Sequence, residues 1–176
     1  MILVLIMVVL MLPTVALAEG EVEAEIVMTH QYGNIIKDGG YVSVGSTINF
    51  DASSSTGSNL SYFWLLDGLD KGHTSQILLT EAPLGERIIS VTVTDTVSGK
   101  SDTAEVTINV VADNKPIVDI TYTPENPKVG EQVTLTANAK GVDGRNIASY
   151  SWDNGETGRS ITVTFNTVGN HTVSLD

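Results

Sequence analysis

The sequence predicts an all-β protein: two tandem antiparallel β-sandwiches that follow an N-terminal signal peptide. Apolar and polar residues alternate with a period of two, turn-forming residues interrupt this alternation at short intervals, and the second half of the chain repeats the first. Period-two alternation is typical of strands with one buried face, and closely spaced turns are typical of sandwiches. No stretch after Glu19 carries apolar residues at helical spacing.

The N-terminus has the pattern of a secretory leader. Residues 1–12 are apolar throughout, and Ala16-Leu17-Ala18 has the small-x-small form of a signal peptidase site. The apolar stretch is shorter than the ~20 residues that a membrane helix needs. We therefore predict a signal peptide over residues 1–18, with an uncleaved membrane anchor as the alternative, since no Lys or Arg precedes the apolar run. Both interpretations place the rest of the chain outside the cytoplasm.

Composition excludes several classes of function. The net charge is −12 and no basic patch is present, which argues against nucleic acid and against an anionic membrane surface as partners. Contact with a membrane is expected only through an uncleaved leader or a missing C-terminal region. The chain has no cysteine, so disulfides and cysteine metal sites are ruled out, and each domain must depend on its apolar core.

The alternation places strands along the whole chain after the leader. Those predicted in the first half are 24–28, 41–45, 47–50, 60–65, 75–80, 87–94 and 103–111. Those predicted in the second half are 117–122, 132–137, 147–152, 160–165 and 171–175. A short polar stretch that ends in Pro116 separates the two halves and is typical of a linker.

The two halves align as an internal repeat of about 85 residues, the size of one small sandwich domain. The aligned patterns are Gly45-x-x-Ile48-x-Phe50-x-Ala52 with Gly130-x-x-Val133-x-Leu135-x-Ala137, and Tyr62-x-Trp64 with Tyr150-x-Trp152. We predict one domain over 19–112, a linker over 113–116 and a second domain over 117–176. Asp176 aligns with Thr92, so the second domain is expected to be incomplete at its C-terminus and the chain to be part of a longer protein.

The second repeat resembles the PKD family, the immunoglobulin-like domains named after the polycystic kidney disease protein. The resemblance rests on three motifs: Gly130-Glu131-Gln132-Val133-Thr134-Leu135, Tyr150-Ser151-Trp152-Asp153-Asn154-Gly155, and Gly169-Asn170-His171-Thr172-Val173-Ser174-Leu175. The first repeat is a looser match, carried by Asp51-Ala52-Ser53-Ser54-Ser55 and Val93-Thr94-Asp95. The resemblance implies an immunoglobulin-like sandwich and says little about function.

Trp64 and Trp152 are predicted to be core anchors. Each follows Tyr-x on an apolar strand, and an indole on a central strand fills the space between two sheets. An exposed platform that stacks on sugars is the alternative. A tight turn is expected after each tryptophan, at Asp67-Gly68 and Asp153-Asn154-Gly155.

The residues do not indicate an enzyme. The only histidines are His30, His73 and His171, none in a nucleophile-elbow motif and no two at the spacing of a zinc site. The family resemblance makes His171 a packing residue. Calcium, which takes oxygen ligands, is the one ion considered, with Asp113 and Asn114 as candidate ligands. Further acidic residues lie in predicted turns, where aspartate is also an ordinary turn former: Asp67, Asp70, Asp143, Asp153 and Glu156.

Two sequons for N-glycosylation occur, at Asn59-Leu60-Ser61 and Asn170-His171-Thr172. Asn59 is predicted to lie in a loop, and Asn170 at the start of a strand. Both are candidate glycosylation sites.

The pattern favours a non-catalytic spacer or adhesion module of a secreted or cell-surface protein. One alternative is an accessory module of a secreted hydrolase, a protease or glycosidase, whose catalytic domain is not in this chain. Another is a module that itself binds carbohydrate or protein at the cell surface. An exposed row of aromatic residues on one sheet would favour the last, and Tyr32, Tyr41 and Tyr122 are the aromatics not assigned to a core.

Overall fold

A computed structural model describes residues 21–176 of the chain. The predicted signal peptide, residues 1–18, lies outside the described residues. The described part is all-β, as predicted, and it has no helix of the length and apolar character needed to cross a membrane. Two separate clusters of buried apolar residues divide it into a first unit, residues 21–111, and a second unit, residues 117–176.

The first unit consists of two facing sheets. A four-stranded antiparallel sheet has the order β2-β1-β4-β7, and a five-stranded sheet has the order β3-β9-β8-β5-β6. Within the larger sheet β3 pairs parallel to β9, and the other pairs are antiparallel. The strands are β1 (Val27–His30), β2 (Ile35–Ile36), β3 (Gly40–Ser43), β4 (Ile48–Asp51), β5 (Leu60–Leu66), β6 (Leu69–Gly72), β7 (Gln76–Leu79), β8 (Gly85–Asp95) and β9 (Ser101–Val111).

The core of the first unit lies between these sheets and follows the predicted alternation. In β8, for example, Ile89, Val91 and Val93 are buried and the residues between them face outward. Trp64 of β5 is fully buried beside Phe50 of β4, with the two rings edge to face at 6.5 Å. The short strands β2 and β6 were not predicted, because Ile35–Ile36 is too short to show a period and Leu69–Gly72 has no alternation of buried and exposed residues.

The β8–β9 turn is organised by the carboxylate of Asp95. Its oxygens accept hydrogen bonds from the backbone N–H groups of Val97 at 2.8 Å, Ser98 at 3.2 Å and Ser58 at 3.3 Å. These donors, Val97 first, lower the pKa of Asp95 because they stabilise the charged form. The backbone N–H of Thr107 lowers the pKa of Asp38, and that of Ala24 lowers the pKa of Asp102, for the same reason.

We expect the stability of the first unit to fall at acid pH. These three carboxyls have folded-state pKa values below the ordinary 3.8, so below that pH the unfolded chain binds more protons than the folded one. Their contribution is therefore complete above the unfolded pKa and is lost as pH falls through the folded pKa. Melting temperatures measured between about pH 7 and pH 2 should be level at first and decline below about pH 4. Asp95→Asn should reduce this decline, because asparagine does not titrate; an equally steep decline in that variant would contradict the assignment.

The second unit has one regular sheet, a three-stranded antiparallel sheet of order β10-β11-β12. Its strands are β10 (Ile117–Thr123), β11 (Gln132–Lys140) and β12 (Ser160–Thr164). The core beneath it contains Val133, Leu135, Ala137, Trp152 and Ile161. Strands β10 to β12 correspond to β1, β4 and β7 of the first unit, since Leu135 aligns with Phe50.

Two predicted strands of the second unit, 147–152 and 171–175, are not strands in the structure. They meet only through an isolated bridge between Trp152 and Leu175 and the backbone bonds beside it. In the first unit the equivalent β8 is hydrogen-bonded on both sides, by β5 and by β9. Segment 171–175 has a neighbour on one side only, so alternation alone does not produce a regular ladder there.

Candidate functional site: the junction between the units

The segment between the units is short and exposed. Strand β9 ends at Val111 and β10 begins at Ile117. One carboxylate oxygen of Asp113 accepts a hydrogen bond from the backbone N–H of Lys115 at 3.1 Å, and the other lies 3.6 Å from the Lys115 ammonium group. Residues 21–176 contain no group of three or more His, Cys, Asp or Glu side chains that could hold a metal ion. The assignment of Asp113 and Asn114 as calcium ligands stays a prediction.

The main contact between the units is made by the turn at residues 141–145, which we call the docking turn. It follows β11 and lies against β3 and the β1–β2 connection of the first unit. Val142 pairs with Tyr41 as a parallel bridge, the backbone N–H of Asp143 donates to the Tyr41 carbonyl at 2.8 Å, and the Asn34 amide donates to the Asp143 carbonyl at 3.1 Å. The ammonium group of Lys140 lies 5.3 Å from the centre of the Tyr41 ring. Tyr41, unassigned from the sequence, is therefore part of the junction.

The carboxylate of Asp143 is buried in a polar socket of the first unit formed by His30, Ser43 and Ser46. Its Oδ1 accepts from the Ser43 backbone N–H at 2.8 Å and from Ser46 Oγ at 3.1 Å, and its Oδ2 accepts from Ser43 Oγ at 2.9 Å. A buried carboxylate is costly unless hydrogen bonds replace its water, and these three bonds do so. The charge of Asp143 thus has its partners on the other unit.

His30 lies on the far side of the socket. Its Nδ1 accepts a 3.4 Å hydrogen bond from the backbone N–H of Tyr32, so in the neutral ring the proton is on Nε2. Nε2 lies 3.5 Å from Asp143 Oδ1 and has no hydrogen-bond partner among the described residues. In this tautomer Nε2 carries the hydrogen, so toward the Asp143 carboxylate it can act only as a hydrogen-bond donor.

The junction brings serine, histidine and aspartate together, but not in the connectivity of a hydrolase triad. A triad requires the histidine to accept the proton of the serine hydroxyl while the aspartate orients the ring. Here both serine hydroxyls bond to Asp143, and neither ring nitrogen of His30 is bonded to a serine. The cluster is arranged to hold a carboxylate and not to activate a nucleophile.

A polar cavity of about 190 Å³ opens beside the socket. Besides the socket residues, its lining includes Tyr32, Asn114, Asp143 and Arg145. The aromatic ring of Tyr32 is exposed at its rim. A larger, mainly apolar groove of about 440 Å³ crosses the second unit between Tyr122, Leu135 and Val173.

The second unit matches a known domain family over almost its whole length. The family model described as the PKD domain matches residues 119–176. The second unit is a PKD domain. A comparison with curated protein sequences gives no match.

Three solved structures are similar to the chain. Fibronectin(III)-like modules of Clostridium thermocellum CbhA have 18% identity, with 84% of this chain and 83% of that chain covered, at a TM-score of 0.43. N-terminal domains of the outer capsid protein Hoc of bacteriophage RB49 have 21% identity, with 83% and 50% covered, at 0.40. Carbohydrate-binding modules of the β-sandwich superfamily have 16% identity, with 90% and 84% covered, at 0.43.

In the PKD domain, Trp152 is buried in the core, as Trp64 is in the first unit. The indole N–H of Trp152 donates to the Gly158 carbonyl at 2.9 Å, and that of Trp64 donates to the Thr74 carbonyl at 2.8 Å. The Asp153 carboxylate accepts from the Ser174 N–H at 2.8 Å, which links the turn after the tryptophan to the last segment. These residues stabilise the fold.

The other candidate residues of the PKD domain and the first unit lie at the surface. Asn59 and Asn170 are both exposed, and their glycosylation stays a prediction. His171, expected to pack, is exposed but stacks on Phe165 with ring centres 4.4 Å apart. The exposed aromatics Tyr32, Phe63 and Tyr122 lie on separate elements, so they do not form a row on one sheet.

Sequence reasoning missed the docking turn. The sequence marks Asp143 only as one of several acidic turn residues considered for calcium, and its context, Gly-Val-Asp-Gly, is that of an ordinary turn. No sequence signal distinguishes this turn, but the structure shows why both of its glycines are required. A Cβ on Gly144 would lie 2.7 Å from the Ile35 carbonyl of the other unit, and one on Gly141 would overlap the Arg145 carbonyl.

Proposed function

We propose that the chain is a non-catalytic, extracellular spacer or adhesion module of a secreted or cell-surface protein. It comprises two immunoglobulin-like domains, 19–112 and 117–176, joined by the linker 113–116. The observation that carries the proposal is the docking turn: its residues Val142 and Asp143 are buried against the first unit, although the chain between the units is short and exposed.

A spacer requires that its modules keep a defined distance and orientation, and it does not require a ligand. A short linker restricts how far two domains can separate, and contact between them restricts how they rotate. Here the contact includes a buried carboxylate and backbone hydrogen bonds, which fix direction as well as distance. The contact thus holds the PKD domain and the first unit in one orientation relative to each other.

Small-angle X-ray scattering on residues 19–176 tests the spacer role. We expect an elongated profile, because the linker is too short for the domains to pack face to face. A compact, globular profile would refute the proposal. The same measurement with calcium and then with a chelator tests Asp113 and Asn114: an unchanged profile and melting temperature would exclude a calcium site there.

Carbohydrate binding is the second candidate function, and the polar cavity beside Tyr32 favours it. An exposed tyrosine next to free amide and guanidinium groups has the chemistry that stacks on a sugar ring and bonds its hydroxyls. NMR titration with soluble monosaccharides distinguishes the two candidates. Shifts at Tyr32 and Asn114 that Tyr32→Ala abolishes and Tyr122→Ala preserves would support binding, and no shifts would leave the spacer role. The third candidate, an accessory module of a secreted hydrolase, is compatible with either result.

A further inference from the structure

The second unit has a much smaller core than the first. Among the described residues, fifteen buried apolar side chains form the first core and five form the second. One side of the second core is covered by β10 to β12, and the other by segments joined only through isolated bridges. Folding requires enough apolar burial to offset the entropy lost when the chain is ordered. The second unit's own contacts therefore provide little stabilisation.

The docking turn supplies further buried contacts from outside that core. Val142 is 1% exposed and Asp143 is 2% exposed, yet neither belongs to the core cluster of either unit. Their burial comes from the first unit, through Tyr41 and the socket. The turn is the direct continuation of β11, the central strand of the second unit's sheet.

The docking turn has a conformation that its own residues favour. Asp143 and Gly144 both have left-handed backbone angles, with φ of 58° and 68°, and Asp-Gly is a preferred pair for such a turn. The backbone N–H of Arg145 donates to the Val142 carbonyl at 3.1 Å and closes the turn. In this conformation the Asp143 carboxylate accepts the hydrogen bonds of Ser43 and Ser46. The turn therefore presents the carboxylate to the socket without a change of backbone shape.

We propose that the end of the first unit is a recognition surface for the docking turn, and that this docking orders the second unit. The socket of His30, Ser43 and Ser46 binds the Asp143 carboxylate, and the bound turn holds the end of β11 in place. The first unit folds on its own core and then serves as the platform on which the PKD domain becomes ordered. This role is separate from the spacer function and does not depend on it.

Hydrogen exchange of the complete chain, followed by mass spectrometry, tests the proposal. Asp143→Ala should raise the exchange rate in β11 and β12 by about tenfold or more. Without the bonds of the carboxylate, the local opening that exposes these amides to exchange requires less free energy. Exchange in β8 and β9 of the first unit should stay unchanged. Asp143→Asn, which keeps one acceptor oxygen, should have an intermediate effect, and Ser46→Ala, which alters the socket from the other side, should act in the same direction.

The matched control is Asp119→Ala, which removes an exposed aspartate of β10 that has no side-chain hydrogen bond among those described. It should leave exchange in β11 and β12 at the rate of the unaltered chain. Unchanged β11 exchange in Asp143→Ala, or an equal rise in Asp119→Ala, would overturn the proposal. Faster exchange in β8 and β9 as well would also overturn it, because the turn would then stabilise the first unit.

Discussion

Replacing Trp64 by alanine is expected to lower the free energy of unfolding of the first unit by about 3–5 kcal/mol. The indole is fully buried, packs edge to face on Phe50, and donates its N–H to the Thr74 carbonyl. Its removal would leave a cavity between the sheets and a carbonyl without its donor. Since single domains are stable by only about 5–15 kcal/mol, this change takes a large share of the total.

Denaturant unfolding of Trp64→Ala, followed by circular dichroism, measures that loss. Phe63→Ala is the matched control, because Phe63 is the adjacent residue of the same strand and faces outward with 39% of its surface exposed. Its loss should be no more than about 1 kcal/mol, as for most surface substitutions. Comparable losses in the two variants would show that Trp64 is not the anchor of this core.

Residues 114–176 expressed alone are expected to show no cooperative melting transition, whereas residues 19–113 should unfold cooperatively. The first piece keeps both sheets and its whole core, while the second keeps one regular sheet and loses the contacts of the docking turn. Calorimetry of each piece measures the difference. The complete chain, melted under the same conditions, is the control. A cooperative, high-temperature transition in the isolated second piece would contradict both this expectation and the dependence on docking.

The sequence was sufficient to predict which residues are buried where the alternation within a single strand determines this. The alternation in β8 and β9 predicted which residues face the core, and the position of each tryptophan after Tyr-x predicted an apolar, central site. The PKD resemblance, carried by the second repeat, agrees with the family match over residues 119–176. These features are local, so a single sequence contains them.

The sequence was insufficient where structure depends on pairing between distant segments. Segments 147–152 and 171–175 alternate as strands do, but a ladder also requires neighbours, which alternation does not reveal. In the sequence Asp143 is an ordinary turn residue. Its role is visible only from its hydrogen bonds to Ser43 and Ser46, which lie about a hundred positions earlier in the chain. The candidate site is composed of such long-range contacts, so it could not be predicted from the sequence.

The parallel pairing of β3 with β9 has a mechanical consequence. Tension that reaches β3 from its N-terminal side and β9 from its C-terminal side pulls the two strands in opposite directions along their length. The hydrogen bonds between Gly40–Ser43 and Ile108–Val111 would then be loaded together in shear and could not open one at a time. Since β9 leads directly into segment 112–116, pulling force transmitted through the junction reaches the C-terminal end of β9, beside these hydrogen bonds.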